Sequence, residues 1–356
     1  MTQTPTEYGA LVSEMLRRAA VTRQPAHGAF ELTSRCNLAC RMCYVRQAAG
    51  DAATAAKEIP ASAWLELARG AVDNGMVFLL LTGGEVFLRR DFFEIYEPLT
   101  RMGLSIALFT NGTLITKEIA ARLAQAPPSR VEITLYGATA ATCEAVTGRQ
   151  GSLAACRAGI EALLSHRITF GLKTTVTRQN VGELEAMRQM AHDWGVPFSA
   201  SWLLTRRPDL NHSDVEDCRL SAADCITLEE TDSASAHDWT EVAIRETTSG
   251  RHGNFYCQGG KASFAINSVG EMNVCLLLPQ PAVRPLEIGF PEAWKRVRQY
   301  VDSAPPAGSE CNACEAFSYC GRCPAWSMVE NGTLTDAVPY LCEIARARKD
   351  RYGQPA

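Results

Sequence analysis

The stretch Phe30-Glu31-Leu32-Thr33-Ser34-Arg35-Cys36-Asn37-Leu38-Ala39-Cys40-Arg41-Met42-Cys43 runs from a short apolar strand into three cysteines spaced C-x3-C-x2-C. A structural zinc site needs four ligands and usually takes them as two C-x2-C pairs. Three thiolates this close, with no fourth nearby, suit an iron–sulfur cube with one iron left open, because thiolates are the usual protein ligands of such clusters. Three incidental or zinc-binding cysteines are the alternative, and the surrounding chain decides between them.

Outward from the triplet, strand and helix patterns alternate. Strands are expected at Phe30–Ser34, Val77–Thr82, Ser105–Thr110, Val131–Tyr136, Ile168–Thr177 and Pro197–Leu204. Val131, Ile133 and Leu135 alternate with polar neighbours, which is strand periodicity. Between the strands, Ser62–Asn74 places Trp64, Ala68, Ala71 and Val72 at helical spacing. Further helices are expected near Asp91–Met102, Lys117–Ala124, Leu153–Ser165 and Val181–Trp194, with turn signals at Asn111-Gly112, Gly137 and Gly148. Strands joined by crossover helices form a parallel sheet with right-handed connections. Six units fall two short of a closed eight-unit barrel, so the expected fold is α/β, a partial (β/α)6 barrel.

The expected organisation is an N-terminal extension over 1–29, the barrel over 30–204, a polar connector over 205–250 and a cysteine-rich module over 251–356 ending in a helix. Within the connector, Ser221 is placed to cap a helix with Asp224 in its first turn. A hairpin is expected from Phe264–Asn267 and Met272–Val274, and Ala48–Ala56 reads as a loop or frayed helix. The last module has little continuous periodicity, as befits a unit held by metal rather than by a large core.

The chain has 356 residues, 46% of them hydrophobic, and 35 Lys plus Arg against 39 Asp plus Glu. That composition excludes disorder and gives no electrostatic footprint for nucleic acid. Apolar runs such as Met76–Leu81 are too short for a bilayer, and MTQTPTEYGA lacks the features of a signal peptide. The expectation is a cytoplasmic protein without membrane contact. Fourteen cysteines in such a chain point to metal rather than to disulfides, and they cluster: three within 36–43 and seven between 257 and 342. The scattered Cys143, Cys156, Cys218 and Cys225 read as small buried residues.

Thr82-Gly83-Gly84-Glu85 closes the second strand, where glycines let backbone approach a ligand and a carboxylate can receive an ammonium. Following the cysteine triplet, it makes the sequence resemble the radical S-adenosylmethionine superfamily from about residue 30 to 345. The resemblance implies that Cys36, Cys40 and Cys43 hold a 4Fe–4S cluster whose open iron binds S-adenosylmethionine. One-electron cleavage then gives methionine and a 5'-deoxyadenosyl radical that abstracts hydrogen from an unactivated carbon; the protein orients and shields this chemistry. It further implies that Gly83, Gly84 and Glu85 bind the methionine amino group and that the Thr134 hydroxyl meets the ribose. Met42, where the family usually has an aromatic, packs on the adenine, and Val86 replaces the usual proline. Thr110-Asn111-Gly112-Thr113 also recurs in relatives, but a plain turn explains it equally well.

The later cysteines run Cys257-x17-Cys275, Cys311-x2-Cys314-x5-Cys320-x2-Cys323 and Cys342. By spacing alone a zinc ribbon fits as well as iron–sulfur. With Gly270 before Cys275 and Pro324 after Cys323, the array resembles the SPASM extension of the same superfamily, which carries two auxiliary 4Fe–4S clusters. That likeness assigns Cys257, Cys275 and Cys323 to the first, and Cys311, Cys314, Cys320 and Cys342 to the second. The first lacks an evident fourth thiolate; its last position is open or falls to His252, Cys218 or Cys225, since Arg251 and His252 occupy the stretch where some relatives place another cysteine.

Sulfatase-maturing relatives place an aspartate where Leu276 stands, which argues against that activity. The segment from Leu135-Tyr136-Gly137-Ala138 to Thr147-Gly148-Arg149 looks most like peptide maturases. The resemblance therefore implies a ribosomal precursor peptide that is crosslinked, epimerised or oxidised, with a flavodoxin or ferredoxin-type electron donor. Only 35 residues precede Cys36, so the expectation is either a separate leader-peptide-recognition protein as a further partner or direct docking of the core peptide. A small-molecule substrate (sugar, amino acid or tetrapyrrole) and a non-catalytic iron–sulfur sensor or scaffold are the alternatives. Beyond the radical-generating cluster no catalytic residue is assigned; Tyr136 and Asp209 are candidate bases. Arg89-Arg90 and Arg346–Arg351 read as solvated faces.

Overall fold

The computed structural model describes residues 5–209, 215–232, 239 and 254–353. Eight strands form one sheet: β1 (His27–Thr33), β2 (Phe78–Gly83), β3 (Ser105–Thr110), β4 (Arg130–Thr134), β5 (Phe170–Thr175), β6 (Phe198–Ser201), β7 (Ser263–Ile266) and β8 (Met272–Asn273). Their spatial order is β8-β7-β1-β2-β3-β4-β5-β6. The first six are parallel and neighbour one another in chain order, as the strand–helix alternation predicts. The sheet is open, so the partial barrel is borne out.

Each crossover helix buries one face on this sheet. Helix α1 (Pro5–Thr22) precedes β1, and α2 (Ala61–Asp73) buries Trp64, Leu67, Ala68 and Ala71, with the Trp64 ring 5.0 Å from Phe30. Next, α3 (Phe92–Thr100) buries Phe92, Ile95, Tyr96 and Leu99. The Thr116 hydroxyl caps α4 (Lys117–Gln125) by accepting from Ile119 N at 3.3 Å. Helices α5 (Ala140–Thr147), α6 (Ser152–Ser165) and α7 (Leu184–Asp193) complete the layer. The apolar β1, with Phe30 and Leu32 fully buried, sits in the middle of the sheet.

Two features depart from the sequence reading. Helix α1 lies inside the expected extension and was not anticipated, because its face is weak: Leu11 and Val21 stay exposed while Ala19 is buried against Ala26 and Ala262. The hairpin of the cysteine-rich module does not stand apart either. Its strand β7 pairs in parallel with β1, and β8 pairs back on β7, so the sheet runs past the boundary drawn at residue 251.

In the connector, Ser221 and Asp224 form a reciprocal capping box at the start of α8 (Ala222–Thr231), as expected. Ala52–Ala55 is a single helical turn capped by Asp51. The chain closes with α9 (Phe290–Asp302), α10 (Pro324–Asn331) and α11 (Pro339–Tyr352). Cys143, Cys156, Cys218 and Cys225 are all buried, as expected. Among the described residues no helix is long and apolar enough to cross a membrane.

Two arginine readings are corrected. Arg90 is exposed, but Arg89 is buried: it donates to the Leu32 and Ile59 carbonyls at 2.9 and 3.0 Å and pairs with Asp91 at 2.7 Å. Arg348, in the run 346–351, is only 3% exposed and ion-pairs with Glu229. Charge runs mark solvated faces only where no buried carboxylate or carbonyl waits for them, and tertiary partners are invisible in the local pattern.

Candidate functional site

The loop after β1 turns at Thr33–Ser34, and everything that carries the cysteine triplet is fastened to this turn. Ser34 O accepts from Gln47 N at 2.7 Å, and the two-residue strands Arg35–Cys36 and Gln47–Ala48 pair across the loop. Arg35 is clamped by Glu58 through Nε and Nη2 at 2.8 and 2.9 Å. The end of β2 crosses directly over this backbone. Gly84 N donates to Thr33 O at 2.7 Å, and a Cβ at either Gly83 (φ 135°) or Gly84 would collide with the Thr33 or Arg35 carbonyl. Only glycine allows two chains to approach so closely.

Around this crossing lies a cavity of about 420 Å³. Cys36, Cys40 and Cys43 line it together with Met42, Gly83, Gly84 and Thr134, so seven of the predicted site residues share one space. All fourteen cysteines are free thiols. Burial pushes the Cys36 thiol up to about 11 and raises Cys40 and Cys43 as well. Coordination requires thiolates, so metal binding here releases protons. Donors already point at the sulfurs: Leu38 N at 3.4 Å and Asn111 Nδ2 at 3.7 Å to Cys36, and the Tyr136 hydroxyl to Cys40. Hydrogen bonds of this kind stabilise and tune a bound cluster. Three sulfurs ringing a cavity, one buried and two half-buried, with donors at each (Val45 and Arg46 backbone N–H at Cys43), fit an iron–sulfur group. Among the described residues no three His, Cys, Asp or Glu side chains converge on a single ion.

Glu85 departs from its expected place. It is fully buried and does not line the cavity. Its carboxylate accepts from Thr110 Oγ1 at 2.8 and 2.9 Å, Asn111 N at 2.8 Å and Phe87 N at 3.2 Å. Here the carboxylate braces a neighbouring turn, and burial raises its pKa. What it braces is the Thr110-Asn111-Gly112-Thr113 turn, whose Asn111 also donates to Asn37 Oδ1 at 2.9 Å; Asn37 in turn donates to Thr113 Oγ1 at 2.8 Å. That turn holds the triplet, a role the plain-turn reading missed.

Lys173 was also missed. It sits on β5 with its ammonium over the Phe109 ring, lines the same cavity, and is the one Lys or Arg among the described lining residues. Burial lowers its pKa to about 8. The signal was present in Ile168–Thr177: a lone lysine inside an apolar strand has to point at something. Of the two candidate bases, Tyr136 lines the cavity beside Cys40, while Asp209 lines a second cavity and pairs with Arg207 at 2.7 Å.

The later cysteines fall into two groups. Cys257, Cys275 and Cys323 lie within electrostatic reach of one another, and burial pushes the Cys275 thiol up to about 11. Cys311, Cys314, Cys320 and Cys342 line one apolar cavity together. Of the fourth-ligand candidates, Cys218 packs among Leu38, Cys40 and Met42, Cys225 packs against Ile344 and Tyr340, and His252, like Arg251, lies outside the described residues. Neither cysteine is grouped with Cys275.

The chain is similar to known proteins in sequence and in fold. Residues 30–191 match the family model of the radical SAM superfamily. An AdoMet-dependent heme synthase of Methanosarcina barkeri is 28% identical over 347 residues, covering 90% of this chain and 97% of that protein. The subtilosin biosynthesis protein AlbA of Bacillus subtilis is 28% identical over 316 residues, 84% of this chain and 67% of that protein. The crystal structure of Streptococcus suis SuiB bound to S-adenosylmethionine shares the fold, with a TM-score of 0.68 at 14% identity over 96% of this chain and 82% of that one. SuiB bound to precursor peptide SuiA aligns with a TM-score of 0.66 at 16% identity, over 96% and 82% of the two chains.

Proposed function

We propose, for a chain that belongs to the radical S-adenosylmethionine superfamily and is an enzyme, that it acts on a ribosomal precursor peptide and leaves a crosslinked, epimerised or oxidised residue. A 4Fe–4S cluster and S-adenosylmethionine, when bound, supply a carbon radical able to take hydrogen from an unactivated carbon. Cys36, Cys40 and Cys43 would hold the cluster. The backbone at Gly83 and Gly84 offers close approach to the methionine end, Thr134 offers a hydroxyl to the ribose, and Met42 an apolar surface to the adenine. Lys173 offers a cation to the carboxylate. Cys257, Cys275 and Cys323 would hold one auxiliary cluster, and Cys311, Cys314, Cys320 and Cys342 a second. A flavodoxin or ferredoxin-type donor supplies the electron, and a separate protein presents the leader peptide.

The Lys173 role has a direct check. Replacing Lys173 by Met should weaken S-adenosylmethionine binding to the reconstituted protein at least about tenfold. In the wild type the same affinity should fall as pH rises above about 8, where the free amine loses its charge. An affinity unchanged by the substitution removes Lys173 from the cofactor site.

The walls of the second cavity carry the choice of a peptide. It has two carboxyls and no Lys, Arg or His among its described lining residues. The second reading, an enzyme of heme formation, is favoured by the heme synthase likeness over most of both chains. A heme precursor, however, is a carboxylate-bearing macrocycle, and such walls offer its carboxylates no cationic partner among the described lining residues. The deciding experiment incubates the reduced, reconstituted enzyme with S-adenosylmethionine and a precursor peptide encoded beside its gene, or with an iron tetrapyrrole carboxylate. A peptide that loses two hydrogens, or takes deuterium from heavy water without other change, supports the proposal. Conversion of the tetrapyrrole alone overturns it.

A further inference from the structure

The second cavity, about 300 Å³, shares Tyr44, Val45 and Leu276 as a common wall with the first, so it adjoins the place where the radical would form. Glu31, on the buried central strand β1, lines it and is 7% exposed. Its Oε2 accepts one long hydrogen bond, from the Tyr44 hydroxyl at 3.3 Å. Its Oε1 accepts none, and no cation pairs with it among the described residues. The other carboxyl in the cavity, Asp209, already has Arg207 at 2.7 Å. The two lining asparagines are committed to their own hairpin: Asn267 Oδ1 accepts from Val269 N and Glu271 N, and Asn273 Oδ1 accepts from Ala282 N.

The carboxyl of this cavity left unpartnered by any cation among the described residues is therefore Glu31. A buried carboxyl with an open oxygen is costly unless a partner brings positive charge or donors. Burial has accordingly pushed its pKa up to about 8. A cationic group entering the cavity would find one free carboxyl oxygen, amide and hydroxyl groups on Gln47 and Ser34, and no like charge among the described lining residues. Charge-assisted hydrogen bonds in such a setting are the strong ones.

We propose that this cavity receives a cationic side chain of the substrate, an amine or a guanidinium, and that Glu31 is the residue that selects it. The inference rests on the peptide reading above, since it names which kind of residue the enzyme draws toward the radical. Glu31 differs from Tyr136 and Lys173 in facing the substrate space rather than the cofactor cavity.

The test titrates the reconstituted enzyme, loaded with S-adenosylmethionine, with blocked single residues: the Nα-acetyl N-methylamides of arginine, lysine and norleucine. Methylguanidinium and neutral methylurea serve as probes without a peptide backbone. Arginine or lysine should bind at least about tenfold more tightly than norleucine. Glu31→Gln should erase that preference, and Glu31→Asp should keep part of it. Equal binding of the charged and neutral probes by the wild type overturns the proposal and requires no variant to fold. A preference that survives Glu31→Gln also overturns it. Failure of the peptide reading looks different: methylguanidinium still outcompetes methylurea in a Glu31-dependent way, the blocked residues add nothing, and no precursor peptide changes mass. That outcome supports the cation subsite with a non-peptide substrate.

Discussion

Replacing Cys40 by Ala should abolish formation of 5'-deoxyadenosine from S-adenosylmethionine by the reduced, reconstituted protein. Enzymes commonly accelerate their reactions by at least about six orders of magnitude, so loss of the radical-generating group should take product below detection. Cys40 is the middle sulfur of the triplet and is 7% exposed. With only Cys36 and Cys43 left, two thiolates would face a group that needs three, and no other cysteine lines the cavity among the described residues. Bound iron should fall by about four atoms per chain, one cube, while the iron proposed for the later cysteines stays. Cys156→Ala is the matched control. It is equally buried but lies in the apolar core, so it should cost about 1–2 kcal/mol of packing and leave product formation intact. Product from Cys40→Ala at the native rate would mean that the triplet does not generate the radical.

That experiment tests the part of the site that local sequence expresses most directly. A C-x3-C-x2-C run needs no partner from elsewhere to be read, and six apolar strands separated by amphipathic helices announce a parallel sheet in the same way. The strands fall within a few residues of their expected ends, because β1, β2 and β4 are buried and carry unbroken or alternating apolar residues. What stays hidden are relations between distant segments. Glu85 looks like a ligand-facing carboxylate until the Thr110–Asn111 turn takes up its oxygens. Glu31 looks like one polar residue in a strand until β7, β8 and the Tyr44 loop wall in a cavity around it. The parallel pairing of β7 with β1 spans more than 200 residues of chain, and no periodicity encodes it. Helix α1 escaped because a few alanines hold it, and alanine marks neither face of a helix strongly.

The longest of these hidden relations yields a second large effect. Glu229 on α8 and Arg348 on α11 are 1% and 3% exposed and pair at 2.5 Å, with further bonds at 3.0 and 3.1 Å. Arg348 also donates to the Tyr319 carbonyl at 3.2 Å, in the residue before Cys320. The pair thus joins three segments, two of which carry Cys320 and Cys342. Glu229→Gln keeps the shape but leaves a guanidinium that cannot shed its proton. Breaking a buried pair in this way costs about 3–5 kcal/mol. Because a protein that holds a tightly bound metal group has no single unfolding free energy, the effect is best read locally. Hydrogen exchange across Pro339–Tyr352 should accelerate by about two to three orders of magnitude. If the Cys311–Cys342 group holds the proposed cluster, its iron should be lost more readily to a chelator, while that of the Cys36–Cys43 triplet stays. The double variant Glu229→Leu with Arg348→Met removes both charges and should restore most of the protection, since an apolar pair of similar volume often replaces a buried ion pair without loss. If Glu229→Gln leaves exchange unchanged, the pair is incidental and α11 is held by Leu341, Ile344 and Ala345 alone. If the double variant exchanges as fast as the single one, the hydrogen bond from Arg348 to Tyr319 matters more than the charge of Glu229, and the anchor of the second cysteine group is that bond.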